Sequence, residues 1–91
     1  MDTVRCAIII EDTWYDEHEV LGKTKYVYIK DNLKSAYEYR AKTVEDYNHD
    51  GKIAALNYEE TLNGIPRQCF LMDREKGLMS NWELAHVVRM D

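Results

Sequence analysis

The stretch at residues 32–51, NLKSAYEYRAKTVEDYNHDG, can be folded in two ways, and the choice decides whether the chain is all-β or carries a helix. One way is a strand entering a two-residue turn at Asp50-Gly51, a dipeptide that supplies the positive φ angles of tight hairpin loops. Tyr47 then lies opposite Ala54, Thr43 opposite Tyr58 and Tyr39 opposite Leu62 on one face, with Lys42 opposite Glu59 behind. The other way is a helix, since Leu33, Ala36, Tyr37, Ala41, Val44 and Tyr47 recur at helical spacing and Asp31 or Asn32 can act as N-cap. The neighbouring turn favours the strand. A two-residue loop at Asn63-Gly64 sets Leu62 opposite Ile65, Glu60 opposite Arg67, Tyr58 opposite Cys69 and Leu56 opposite Leu71. That face is mostly apolar and carries one opposite-charge pair. Because two independent turns agree on one apolar face, the strand is adopted; a helix near 32–48, which would make the fold α+β, is the alternative.

Working outward, residues 73–77 read as a longer hairpin loop, after which Trp82, Leu84, His86, Val88 and Met90 alternate with Asn81, Glu83, Ala85, Val87 and Arg89. Ser80-Asn81-Trp82-Glu83 also resembles a capping box opening a short helix. Toward the N-terminus, Val4, Cys6, Ile8 and Ile10 alternate with Arg5, Ala7 and Ile9, the pattern of a strand buried on both sides, and residues 26–29 read as a second. The expected fold is therefore mainly β. It is a single small domain over residues 1–91, an antiparallel β-meander of about six strands closing into an SH3-like barrel or sandwich, because an open twisted sheet leaves long exposed edges.

The chain of 91 residues is 45% hydrophobic, too apolar for a disordered acidic tail. No run reaches the roughly 18 apolar residues of a membrane span, and Val4 to Ile10 is too short for a signal peptide, so no membrane association and a cytoplasmic location are expected. Cys6 and Cys69 form no CxxC pair, and His18, His49 and His86 show no zinc half-site spacing. Gly-rich phosphate loops, GxSxG and HExxH are absent, and no orienting residue or oxyanion donor accompanies a Cys and His pair. The expectation is a non-enzymatic protein without a cofactor.

One segment stands apart in charge. Residues 11–19, EDTWYDEHE, hold Glu11, Asp12, Asp16, Glu17 and Glu19 with no Lys or Arg, which accounts for the whole formal net charge of −5. Trp14 and Tyr15 lie within it, and amphipathic rings flanked by carboxylates can anchor a partner that presents Lys and Arg. Read as a loop between strands, the segment is a candidate partner site made of Glu11, Asp12, Trp14, Tyr15, Asp16, Glu17 and Glu19. The expected role is a protein-binding module that engages a basic surface, in its sharper form a small phage-type inhibitor whose carboxylates imitate the phosphates of a nucleic acid. The bland reading is a solvated loop whose Trp14 closes one end of the barrel.

Two further patterns offer rival roles. Asp46, Asn48 and Asp50 before Gly51 match the first half of a calcium loop, although Asn57 stands where a bidentate Glu is needed. Exposed edges and the seven tyrosines could instead pair copies of the chain into a homo-oligomer. Lys23, Lys25, Lys30 and Lys34 cluster around one strand, yet the acidic balance speaks against direct nucleic-acid binding.

Overall fold

A computed structural model describes residues 5–87. Its order is β1 (Cys6–Asp16), β2 (Glu19–Lys30), α1 (Leu33–His49), β3 (Ile53–Leu62), β4 (Ile65–Asp73) and β5 (Leu78–His86). The five strands form one antiparallel sheet in the order β2-β1-β5-β4-β3, with α1 against one face and touching all five strands. The fold is mainly β, but the sheet is not closed. β2 and β3 are its two edges, so the barrel or sandwich of six strands is corrected to five strands and one helix.

The helix displaces the expected strand for reasons that are local. Asn32 is the N-cap, its side-chain oxygen accepting the Ser35 N–H at 2.8 Å. The segment from Leu33 to His49 contains no Gly or Pro and is rich in Ala, Glu, Lys and Arg, all good helix formers. Asp50-Gly51 ends the helix instead of turning a hairpin. The Gly51 N–H donates to the Asn48 carbonyl at 3.2 Å and the Lys52 N–H to that of Tyr47 at 2.8 Å, with Gly51 at φ +75°. This is the Schellman arrangement, which needs the same positive φ as a tight hairpin. The apparent cross-strand agreement has an equally simple origin, because Tyr39, Thr43 and Tyr47 are spaced by four. That spacing keeps residues on one side of a helix and also on one face of a strand.

Around Asn63-Gly64 the hairpin is as expected, with Leu62 opposite Ile65. Farther out the register slips. β3 carries an irregularity between Asn57 and Thr61, so Leu56 faces Cys69 and Ala54 faces Leu71, in place of the pairings Leu56–Leu71 and Tyr58–Cys69. A slip of two residues leaves every side chain on its original face. Arg67 still reaches Glu60, at 3.8 Å, and makes a closer pair with Glu83 at 2.7 Å. Cys69 faces Trp82 across the β4–β5 pair, which follows from a hairpin loop at residues 74–77. Ser80 and Trp82 belong to β5 and are buried, so the capping-box helix does not form; Val88 and Met90 lie outside the described residues.

The core lies between the helix and one face of the sheet, formed by Cys6, Ile8, Ile10, Ala36, Cys69, Leu71, Trp82 and Leu84. Arg40 points into it and is only 1% exposed. Its guanidinium donates to the carbonyls of Arg67 at 3.0 Å and Pro66 at 2.5 Å, tying the middle of α1 to the start of β4. No helix among the described residues covers the opposite face.

Candidate binding surface

The acidic segment is not a loop. Residues 11–16 complete β1, Glu19 opens β2, and Glu17-His18 make the turn of a hairpin, with Glu17 at φ +53°. Strand alternation then sends its side chains to different places. Glu11 is on the uncovered face, half-buried, with Lys25 and Asn81 as its cross-strand neighbours. Asp12 points the other way and is buried. It accepts hydrogen bonds from the Tyr26 hydroxyl and from the Ser80 hydroxyl at 2.5 Å, while Ser80 accepts the Trp82 indole N–H at 2.7 Å. The hydrogen bond to Asp12, then burial, pushes the Tyr26 phenol up from 10.0 to about 12. Asp12 is thus a structural hub that no partner can touch. The expected partner contact at Asp12 is thereby corrected: with β1 running on to Asp16, Asp12 continues the alternation of Cys6, Ile8 and Ile10 onto the core face.

Trp14 lies on the helix side of the sheet between Gly22 and Leu78 and is partly exposed, so it closes no barrel. Tyr15 is half-buried: its N–H donates to the Gly77 carbonyl at 2.7 Å and its hydroxyl approaches the Met79 sulfur at 3.8 Å. The contact is tight, for a Cβ on Gly77 would stand 2.4 Å from the Tyr15 carbonyl oxygen. The last pair shared with β5 is Trp14 and Leu78, so the hairpin beyond it extends past the body of the sheet.

Asp16, Glu17 and Glu19 crown this overhang, all exposed, and none forms an ion pair among the described residues. Beside them Val20 and Leu21 are exposed, Leu21 by 66%. Val20 and Leu21 were missed by the sequence reading, because as part of a loop they had no face to share with the carboxylates.

The calcium pattern is dismantled by the helix. Asp46 and Asn48 belong to the last turns of α1 and Asp50 is its C-cap, so they do not line a loop. Among the described residues no group of three His, Cys, Asp or Glu side chains is placed to hold a metal ion. Asp50 instead neighbours Lys52, which pairs at 3.1 Å with the buried Asp73. Burial alone would raise the Asp73 carboxyl, but the Lys52 ammonium and the Lys76 N–H outweigh it and hold the group below its ordinary value. Both cysteine thiols are pushed up, chiefly by burial beneath α1, with Arg40 opposing. They stay protonated at neutral pH, the state of a packed rather than a reactive cysteine.

The uncovered face holds a trough of about 460 Å³ whose floor and walls include Ile9, Glu11, Lys25, Gln68, Phe70 and Asn81. Asn57 donates to Gln68 across it at 2.9 Å. No helix among the described residues is long and apolar enough to cross a membrane. Comparisons with protein-family models, curated proteins and solved structures found no match.

Proposed function

We propose that the protein is a non-enzymatic binding module whose β1–β2 hairpin tip engages a basic surface on a nucleic-acid-handling protein. The observation that supports this is the tip itself: three exposed carboxylates, Asp16, Glu17 and Glu19, with no ion-pair partner among the described residues, next to exposed Val20 and Leu21. Carboxylates already paired within the chain would have to break those pairs to bind; these do not. Apolar side chains beside them supply burial that charges alone cannot. Of the seven residues expected at the site, the tip keeps Asp16, Glu17 and Glu19 as contact groups and Trp14 and Tyr15 as its base. Glu11 faces elsewhere and Asp12 holds the hairpin to the core.

The test is a pull-down from the native host's lysate, comparing wild type with the triple variant Asp16→Asn, Glu17→Gln, Glu19→Gln, across a salt series and with duplex DNA as competitor. A basic partner that is retained by wild type, lost by the variant and displaced by DNA supports the reading and its phosphate-imitating form. The same partners bound by both proteins would sink it. Hydrogen-exchange or thermal melts should show the variant folded, since the three side chains are exposed and form no ion pair among the described residues.

A further inference from the structure

We propose that the free edge of β2 is a docking strand for an extended acidic segment of a partner protein, taken up as a sixth antiparallel strand. β2 ends the sheet, so one row of its backbone N–H and C=O groups has no strand partner among the described residues. Strand addition to such an edge draws affinity from main-chain hydrogen bonds and specificity from alternate side chains. Past the irregularity at Trp14/Tyr15, pairing with β1 is regular from Gly22 to Lys30, giving a straight edge nine residues long. The other edge is interrupted by its own irregularity and carries exposed Glu59 and Glu60.

The side chains of β2 define what fits. Val27, Tyr28 and Ile29 are each between 45% and 54% exposed although they alternate between the two faces of the sheet. An edge strand apolar on both faces gains burial on both when another strand is laid beside it. Lys23 and Lys25 follow on the uncovered face, exposed and without an ion pair among the described residues. Lys30 differs, since its ammonium sits over the Tyr39 ring at 4.5 Å. The occupant therefore needs apolar or β-branched residues opposite Val27 to Ile29 and carboxylates at alternate positions opposite Lys25 and Lys23.

A second copy fits poorly. Two-fold antiparallel pairing of β2 with itself must keep each side chain on its own face. Over Gly22–Lys30 the register with the fullest overlap centres on Tyr26 and puts Lys25 opposite Val27 and Lys23 opposite Ile29, so neither ammonium gains a carboxylate, and the register centred one residue earlier puts Lys25 opposite itself. Like charges directly opposite destabilise a strand pair, whereas an acidic strand turns the same lysines into attraction.

The probe is a capped peptide, Val-Thr-Val-Thr-Glu-Thr-Glu, which matches Ile29 through Lys23 in antiparallel order, titrated into the isotope-labelled full chain and followed by amide shifts. Saturable shifts confined to residues 22–30 are expected. Affinity should weaken with salt, fall roughly tenfold in the double variant Lys23→Glu, Lys25→Glu, and recover there with a peptide bearing Lys for Glu. N-methylation of alternate peptide residues on the pairing edge should abolish binding to the unaltered protein, a result that does not depend on the variant folding. Shifts at the hairpin tip or in the trough instead, equal affinity for acidic and basic peptides, or no saturation at millimolar peptide would overturn the proposal. So would concentration-dependent broadening of β2 signals without peptide, which would assign the edge to a second copy.

Discussion

The two faces of the sheet are built from alternate residues of the same five strands, yet they have become different materials. On the helix side, Cys6, Ile8, Ile10, Leu71 and Leu84 are buried together and even the polar members, Asp12, Ser80 and Arg40, have their hydrogen bonds made. On the other side Ile9 and Phe70 are only half-buried, Val27 and Ile29 are exposed, and charged and amide side chains run between them. What separates them is α1. A helix of 17 residues is about 25 Å long, enough to bridge the roughly 19 Å across four inter-strand gaps, and the described residues hold only one. Stability is thus concentrated on one face, and binding capacity is left at the hairpin tip, the β2 edge and the open face.

The contrast breaks if the two faces respond alike to truncation. Leu84→Ala on the covered face should cost about 2–5 kcal/mol in a denaturant melt, while Val27→Thr on the open face should stay within about 0.5 kcal/mol. Comparable losses at both sites would mean that the open face is covered in solution.

Arg40 sharpens the comparison, because a buried guanidinium that forms no ion pair among the described residues is an unusual core residue. Arg40→Ala leaves the Pro66 and Arg67 carbonyls without their donor and opens a cavity, for an expected loss of about 3 kcal/mol. Arg40→Met refills the space and should lose less. Equal losses in both variants would assign the whole role of Arg40 to its hydrogen bonds.

The smallest effect concerns the polar cluster on the covered face. Tyr26 titrates at about 12 in the folded chain because it donates to Asp12, so its contribution is complete below the ordinary value of 10.0 and is lost as pH rises through 12. Absorbance titration should show two late tyrosines in wild type, Tyr47, whose phenol is raised chiefly by burial, and Tyr26 near 12; Asp12→Ala should bring Tyr26 alone back toward the ordinary value. Persistence in that variant of the component near 12 would place the cause in burial instead.

How much of this was legible depends on the range of the interactions. The Asn63-Gly64 hairpin, the alternation of β1 and the facing of Cys69 with Trp82 follow from two-residue turn chemistry and a period of two, both written within a few residues. The helix signal was also local, in Asn32, Ser35 and the Schellman glycine. It was outweighed because Tyr39, Thr43 and Tyr47 satisfy two periods at once. The candidate site was half legible: the acidic segment is real, but alternation divides it between core, open face and tip.

By itself, then, the sequence determined the mainly β character, the alternation of β1 from Cys6 to Ile10, the turn at Asn63-Gly64 and the location of the whole net charge, because each rests on composition or on backbone angles and spacings within a few residues. Only the tertiary structure decided that β1 lies in the middle of the sheet, that β2 and β3 remain as edges, that Asp12 and Arg40 are buried and that Asp16, Glu17 and Glu19 are free. These depend on which distant segments meet, a matter of burying one continuous apolar face under a single helix, and no local pattern carries that choice.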